Sequence, residues 1–179
     1  MIKKNIIYKL KKYNVTKYNL ISSLYFNLNY LIIANVCDFK NKKVLDFGGG
    51  LGYLKKKLVK KGARVKIYDI VEELSDIKDY KKIKFDIVIF SHVLMYVREN
   101  DIKKILTHFA SFKKITIISC FSNQTIINKF FAFILGHPNP HEDTKTPPQK
   151  EEKLLKNFFR VEKSLNFFFF KVLVLKVRN

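Results

Sequence analysis

The sequence predicts an α/β chain built on a doubly wound, mostly parallel sheet, and three observations carry that prediction. Val44 to Gly52 read VLDFGGGLG, a short apolar run that ends in an acid and passes through a Gly-x-Gly-x-Gly turn straight into a helix. A second strand-like run, Arg64 to Tyr68, closes on Asp69, seventeen residues beyond Gly52. A third, Phe85 to Phe90, reads as another buried strand.

The glycine spacing narrows what such a turn can hold. Gly48, Gly50 and Gly52 let the backbone turn sharply and approach a ligand that side chains would push away, and the helix from Tyr53 to Lys61 points its free N–H groups the same way. A dinucleotide fingerprint needs a third glycine where Tyr53 stands, and a phosphate loop needs Gly-Lys-Ser or Gly-Lys-Thr where Gly52-Tyr53-Leu54 stands. Both phosphate-binding readings therefore fail. An acid at the tip of the neighbouring strand, Asp69, suits the paired hydroxyls of a ribose.

Taken together, VLDFGGGLG, the IYDI tip and FDIVIFSHVLMYV resemble the class I S-adenosylmethionine-dependent methyltransferases, in their small-molecule branch. The resemblance covers roughly residues 44 to 179 and rests on the order and spacing of the three segments. It implies a Rossmann-like sheet with a C-terminal antiparallel hairpin, S-adenosylmethionine as cofactor, and methyl transfer by in-line displacement to a small-molecule or lipid-linked acceptor. One domain is expected, with a helical cap over 1–43, a core over 44–179 and a substrate-side lid over 120–148.

The elements follow in order. Ile2, Ile6, Ile7 and Leu10 alternate with lysines at helical spacing, so residues 2–12 form an amphipathic helix, a cap over the pocket or a peripheral membrane contact. A helix over Leu20 to Ala34 should bury Leu24, Tyr25, Leu28, Leu31 and Ile32. After the first strand, the helix to Lys61 buries Leu54, Leu58 and Val59 and stops at Gly62. The stretch from Asp69 to Asp86 is too short for the helix and third strand that the family places there. Fragments of each are expected, with Asp79 the acid nearest to an adenine-contacting role.

Asn100 or Asp101 should cap a helix with Ile102, Ile105, Leu106, Phe109 and Phe112 on one stripe and His108 on the solvated face. Ile115 to Ser119 make the next strand, and Asn123 to Leu135 another amphipathic helix. Thr146-Pro147-Pro148-Gln149 reads as a capping box opening a helix to Phe158, and Phe159 to Ser164 with Phe167 to Val177 as the closing hairpin.

Site residues follow from the resemblance. Asp46, Gly48, Gly49, Gly50 and Gly52 shape the methionine and ribose end, Asp69 holds the ribose hydroxyls, and Ser91 and His92 line the cofactor beside its reactive methyl. His92, with an ordinary pKa of about 6.5, is the candidate base. Tyr96 offers a phenol to the acceptor or simply packs. His137, His141 and Glu142 lie in a lid resembling the acceptor-side stretch of similar enzymes. Two prolines in HPNPHED break the helix that would pair those histidines on a metal, so no metal is expected.

Composition sets the remaining bounds. The net charge of +20 comes almost wholly from lysine, spread along the chain, which argues for a solvated surface above a nucleic-acid footprint. No apolar run reaches the length of a membrane span, the lysine-rich start lacks a signal-peptide core, and two cysteines make no disulfide framework. A cytoplasmic protein is the expectation. An RNA methyltransferase is the runner-up, weakened by Ser91-His92-Val93-Leu94 standing where an amine-gripping Asn-Pro-Pro-Tyr motif would be. A non-catalytic binding module on the same scaffold is the third reading.

Overall fold

The computed structural model describes residues 20–123 and 144–178. The helix expected over 2–12, all but the first residue of the one expected over 123–135, and the lid residues His137, His141 and Glu142 lie outside the described residues. The chain divides into two compact units, Met1–Ile83 and Lys84–Asn179. The first unit carries the strand pair β2-β1 and the second the strands β3-β4-β6-β5, in those orders.

In the first unit, helix α1 (Leu20–Ile33) precedes β1 (Lys43–Phe47), helix α2 (Tyr53–Lys60) and β2 (Arg64–Tyr68). The apolar run predicted as the first strand is buried from Val44 onward, and it pairs in parallel with β2 from Lys43↔Arg64 to Phe47↔Tyr68. Gly48 adds one more bond to that ladder, its N–H donating to the Tyr68 carbonyl at 2.7 Å. Leu54 and Leu58, one turn apart on α2, are buried as expected, whereas Val59 is half exposed because an eight-residue helix presents only that one i, i+4 pair inward.

Helix α1 turns the other way from its predicted face. Leu24, Leu28 and Leu31 are exposed, and Asn29, Ile33 and Ala34 are buried. Tyr25, Phe26, Tyr30 and Ile32 spread apolar surface around most of the helix, so periodicity alone could not choose a side. Asn29 is tolerated inside because its amide donates to the Tyr25 carbonyl one turn back at 2.8 Å.

Between Asp69 and Asp86 the described chain makes two single 3-10 turns, Glu72–Leu74 and Tyr80–Lys82, and no strand. The shortening read from the sequence is therefore real. Asp79 caps the second turn by accepting the Lys81 N–H at 3.0 Å. Tyr80 folds back onto Phe47 and Tyr68, with ring centroids 5.2 and 4.8 Å away, and its burial raises the phenol pKa to about 12.

The second unit contains β3 (Ile87–Ser91), a 3-10 turn (Leu94–Tyr96), α3 (Glu99–Ala110), β4 (Thr116–Ser122), α4 (Pro148–Phe158), β5 (Phe159–Asn166) and β6 (Phe170–Val177). β3 and β4 are parallel, and β6 runs antiparallel to both β4 and β5, which is the predicted closing hairpin. Helix α3 starts before its predicted cap: the Arg98 carbonyl accepts the N–H groups of Asp101 and Ile102, and Glu99 in the first turn pairs with Lys103 and Lys150. His108 is not on a solvated face but sits edge-on to Phe109 and Phe112, with centroids 5.1 and 5.2 Å away. The predicted capping box does not form either. Thr146 is buried and donates its hydroxyl to the Val97 carbonyl at 2.7 Å, leaving Pro148 to open α4. Among the described residues no helix is long and apolar enough to cross a membrane.

One buried acid stands out in this unit. Glu151 on α4 is 1% exposed, accepts the Ser119 hydroxyl at 3.1 Å, and leaves Oε2 without a hydrogen-bond partner among the described residues. Burial, partly offset by that bond, raises its pKa to about 8, so the carboxyl is protonated in the folded chain at neutral pH. The unfolded chain ionises it near 4.5, so this group's stabilisation is complete below that value and is lost as pH rises towards 8. Glu151→Gln should leave the melting temperature nearly unchanged at pH 5 and raise it by roughly 5 °C at pH 8.5. Thermal scans at both pH values check this, and an equal effect at the two would contradict it.

Candidate functional site

The first unit assembles the glycine turn and the acids around it. Gly48, Gly50 and Gly52 all take positive φ, and Gly52, at +73°, caps α2 from the left-handed region. A Cβ on Gly52 would also meet Ile67 Cδ1 at 3.1 Å. Gly49 is needed for a different reason. A Cβ there would lie 2.6 Å from Asp46 Oδ2 and 2.7 Å from its Cγ, so the turn lies directly against the Asp46 carboxyl.

Asp46 is consequently a buried acid, 1% exposed, whose Oδ2 has no hydrogen-bond partner among the described residues. Burial first, then the nearby Asp69 and Asp76 carboxylates, raise its pKa, and the Lys55 ammonium opposes them; the result is about 7. Its place beneath the turn makes Asp46 a support for the turn's backbone.

Asp69 sits at the tip of β2 and closes on the same turn. Its Oδ2 accepts the Gly50 N–H at 3.0 Å and its Oδ1 accepts the Val71 N–H at 2.9 Å. Each oxygen keeps a second lone pair for a further donor. The next residue, Ile70, is 89% exposed, an apolar surface immediately beside the acid.

Sequence reasoning missed the two residues that brace this tip. Ser75 Oγ accepts the Asp69 N–H at 3.1 Å, and Asp76 Oδ2 accepts the Ile67 N–H at 2.7 Å. Asp76 also takes the Lys55 ammonium at 2.9 and 2.8 Å. Burial works to raise the Asp76 pKa, but the bonds from Lys55 and Ile67 and the field of Lys66 hold it below the usual carboxylate value. A Ser-Asp pair inside an irregular stretch has no periodic signature. Its one signal was the missing strand, which leaves polar groups on the β2 edge in need of partners.

The second unit places Ser91 and His92 at the C-terminal end of β3. His92 adopts a positive φ of 54°, uncommon for a side chain of its size, and is held there by its N–H donating to the Cys120 carbonyl at 2.8 Å. Its Nε2 lies 3.5 Å from Cys120 Sγ. Burial, with the nearby Glu151, pushes the Cys120 thiol well above its usual range, so it stays a neutral thiol, as a buried filler should. Tyr96 closes the 3-10 turn and is half exposed. The Met95 carbonyl of that turn accepts the N–H groups of Lys145 and Thr146, which fastens the end of the expected lid stretch beside Tyr96. No group of three or more His, Cys, Asp or Glu among the described residues could hold a metal.

A glycine turn between a strand and a helix, with an acid at the next strand's tip, defines a parallel α/β domain for an adenosine-type ligand. A family model described as a methyltransferase domain matches residues 27–120, more than half of the chain. The chain belongs to that family, the class I S-adenosylmethionine-dependent methyltransferases. Its fold is similar to magnesium protoporphyrin IX methyltransferase from Synechocystis PCC 6803 with bound S-adenosylhomocysteine, at 18% identity and TM-score 0.61 over 97% of this chain and 94% of that one. It is also similar to the PH0226 protein from Pyrococcus horikoshii OT3, at 16% identity and TM-score 0.65 over 94% and 99%. Mitomycin 7-O-methyltransferase matches at 17% identity and TM-score 0.62 over 84% of this chain, which spans about half, 53%, of that enzyme. No curated protein matches the sequence.

The contact between Gly49 and Asp46 gives a direct check on this geometry. Gly49→Ala should destabilise the chain by about 2 kcal/mol, as overpacking against a buried acid does. The same substitution should cost less than half as much in an Asp46→Ala background, where the offending atoms are gone. Denaturant titration of the four proteins measures the coupling, and additive costs would show that the turn does not rest on Asp46.

Proposed function

We propose that the chain transfers the methyl group of S-adenosylmethionine to a small-molecule or lipid-linked acceptor. The observation that carries this reading is the bond from the Gly50 N–H to Asp69, which joins a side-chain-free turn and a ribose-type acid in one cradle. The cofactor supplies an activated methyl on a sulfonium, so the chain's own task is to bind, orient and exclude water.

Gly48, Gly49, Gly50 and Gly52 would admit the amino-acid end of the cofactor close to the backbone, and the free lone pairs of Asp69 would accept the ribose hydroxyls. These residues fit such a group: Asp46 lies beneath the turn with an oxygen that has no hydrogen-bond partner among the described residues, and the positive φ values at Gly48, Gly50 and Gly52 favour glycine, which has no side chain to block the approach. Ile70 would lay its exposed apolar surface against the base. Ser91 and His92 would line the cofactor beside the methyl.

For the acceptor we assign Tyr96, His137, His141 and Glu142, the last three in the lid whose far end is tied to the Tyr96 turn. His92 is the candidate base for an acceptor proton. Phe130, Phe131 and Phe133, within the same lid stretch, would favour an apolar acceptor. The solved structures similar in fold include an O-methyltransferase from neocarzinostatin biosynthesis in complex with S-adenosylmethionine and 2-hydroxy-5-methyl naphthoic acid, a bulky aromatic small molecule of the class this reading favours.

Calorimetric titration with S-adenosylhomocysteine tests the reading. Micromolar binding is expected to the full chain, with a loss of at least about a hundredfold in Asp69→Ala, since two charge-assisted hydrogen bonds would go. A chain that melts normally yet binds nothing would leave the scaffold as a non-catalytic module. Salt-steep RNA binding in place of it would favour the nucleic-acid reading.

A further inference from the structure

The compressed stretch after Asp69 removes a strand and leaves β2 with its outer edge open, yet the edge is bonded at Ile67 and Asp69. The Ile67 N–H donates to Asp76 Oδ2 at 2.7 Å, and the Ile67 carbonyl accepts the Asp76 N–H at 2.9 Å. The Asp69 N–H donates to Ser75 Oγ at 3.1 Å, whose own hydroxyl donates to the Ile77 carbonyl at 2.7 Å. Two consecutive residues thus supply edge bonds at Ile67 and Asp69 in place of an absent neighbouring strand. Asp76 does one thing more that a strand's backbone could not. Its carboxylate takes the Lys55 ammonium at 2.9 and 2.8 Å, and Lys55 stands in the first turn of α2, three residues after Gly52.

We propose that Asp76, with Ser75, is a positioning residue for the cofactor cradle. It ties the backbone of β2 just before Asp69 to the first turn of α2 just after the glycine turn, and so fixes the distance across which Asp69 reaches Gly50. Every part of that bracket lies within the first unit: β2, the glycine turn, α2 and the 72–76 segment. If Asp76 lets go, α2 is free to shift relative to the β2 tip, and the 3.0 Å bond from the Gly50 N–H to Asp69 is the contact that stretches. The compressed middle of this chain then keeps a rigid adenosine-type cradle without the strand that usually backs it.

This inference rests on the cofactor reading above, and its test separates the two. In the full chain, Asp76→Asn should speed solvent exchange of the Gly50 amide, followed by proton–nitrogen NMR without any ligand, by about tenfold. It should also weaken S-adenosylhomocysteine binding by about tenfold, as expected for loss of a charge-assisted bond. In an Asp69→Asn background the same substitution should change affinity less than about twofold, because its effect passes through Asp69. Ser75→Ala is the milder companion, expected to move both readouts about threefold in the same direction, and it decides the matter if Asp76→Asn does not fold. Unchanged Gly50 exchange in a folded variant overturns the proposal, as does full additivity with Asp69→Asn. A wild-type chain that binds no S-adenosylhomocysteine overturns the cofactor reading alone, and the Gly50 exchange still decides the bracket.

Discussion

The hydrogen bond from the Gly50 amide to the Asp69 carboxylate is the constraint on which the rest of the first unit turns. For it to form, the chain must leave β1 through residues that accept left-handed backbone, which restricts positions 48, 50 and 52 to glycine. It must also lie flat on Asp46, which restricts position 49 by contact in place of conformation. And β2 must end in register, so that its tip faces the turn; the parallel ladder from Lys43↔Arg64 to Phe47↔Tyr68, extended by Gly48, sets that register. Strand pairing, turn conformation and side-chain packing all agree on one placement of Asp69, and such agreement across levels is what specifies a site.

Placing carboxylates this close together has an electrostatic cost, and the chain offsets it chiefly with Lys55. Beyond its burial, Asp69 and Asp76 both raise the Asp46 pKa, and Lys55 is the cation that opposes them. The exposed member of the group, Asp76, takes the ammonium directly and stays ionised, while the buried member drifts towards neutrality. A positively charged ligand arriving at the turn would meet this excess of acid. The surplus of lysine elsewhere therefore says little about the site, because the local field is set by these acids with Lys55 and Lys66 beside them.

Much of this was legible in the sequence, for identifiable reasons. The strands were readable because buried parallel strands are short apolar runs between glycine and acid punctuation, and 64–68 matches its predicted span residue for residue. The order of the glycine turn, the second-strand acid and Ser91-His92 was readable because ligand sites in such sheets gather at the C-terminal strand ends. What escaped was whatever depended on choosing between equivalent faces or partners. The face of α1 could not be chosen when aromatic and aliphatic residues surround it, and Thr146 prefers the Val97 carbonyl to the capping box because a buried hydroxyl bonds whatever acceptor is nearest. Asp76 was invisible because its partner is a strand edge, which exists only once the fold does.

The same logic bears on His92. A histidine held at positive φ stores strain, and the backbone bond to the Cys120 carbonyl in the adjacent strand is what holds it. The ring Nε2 then lies 3.5 Å from the Cys120 Sγ, a thiol that burial keeps neutral. Such an arrangement suits a residue whose orientation matters more than its charge. In the proposed in-line transfer from an activated donor, His92 would make that kind of contribution: it would fix where the acceptor can stand, with proton removal a secondary duty following from the same placement.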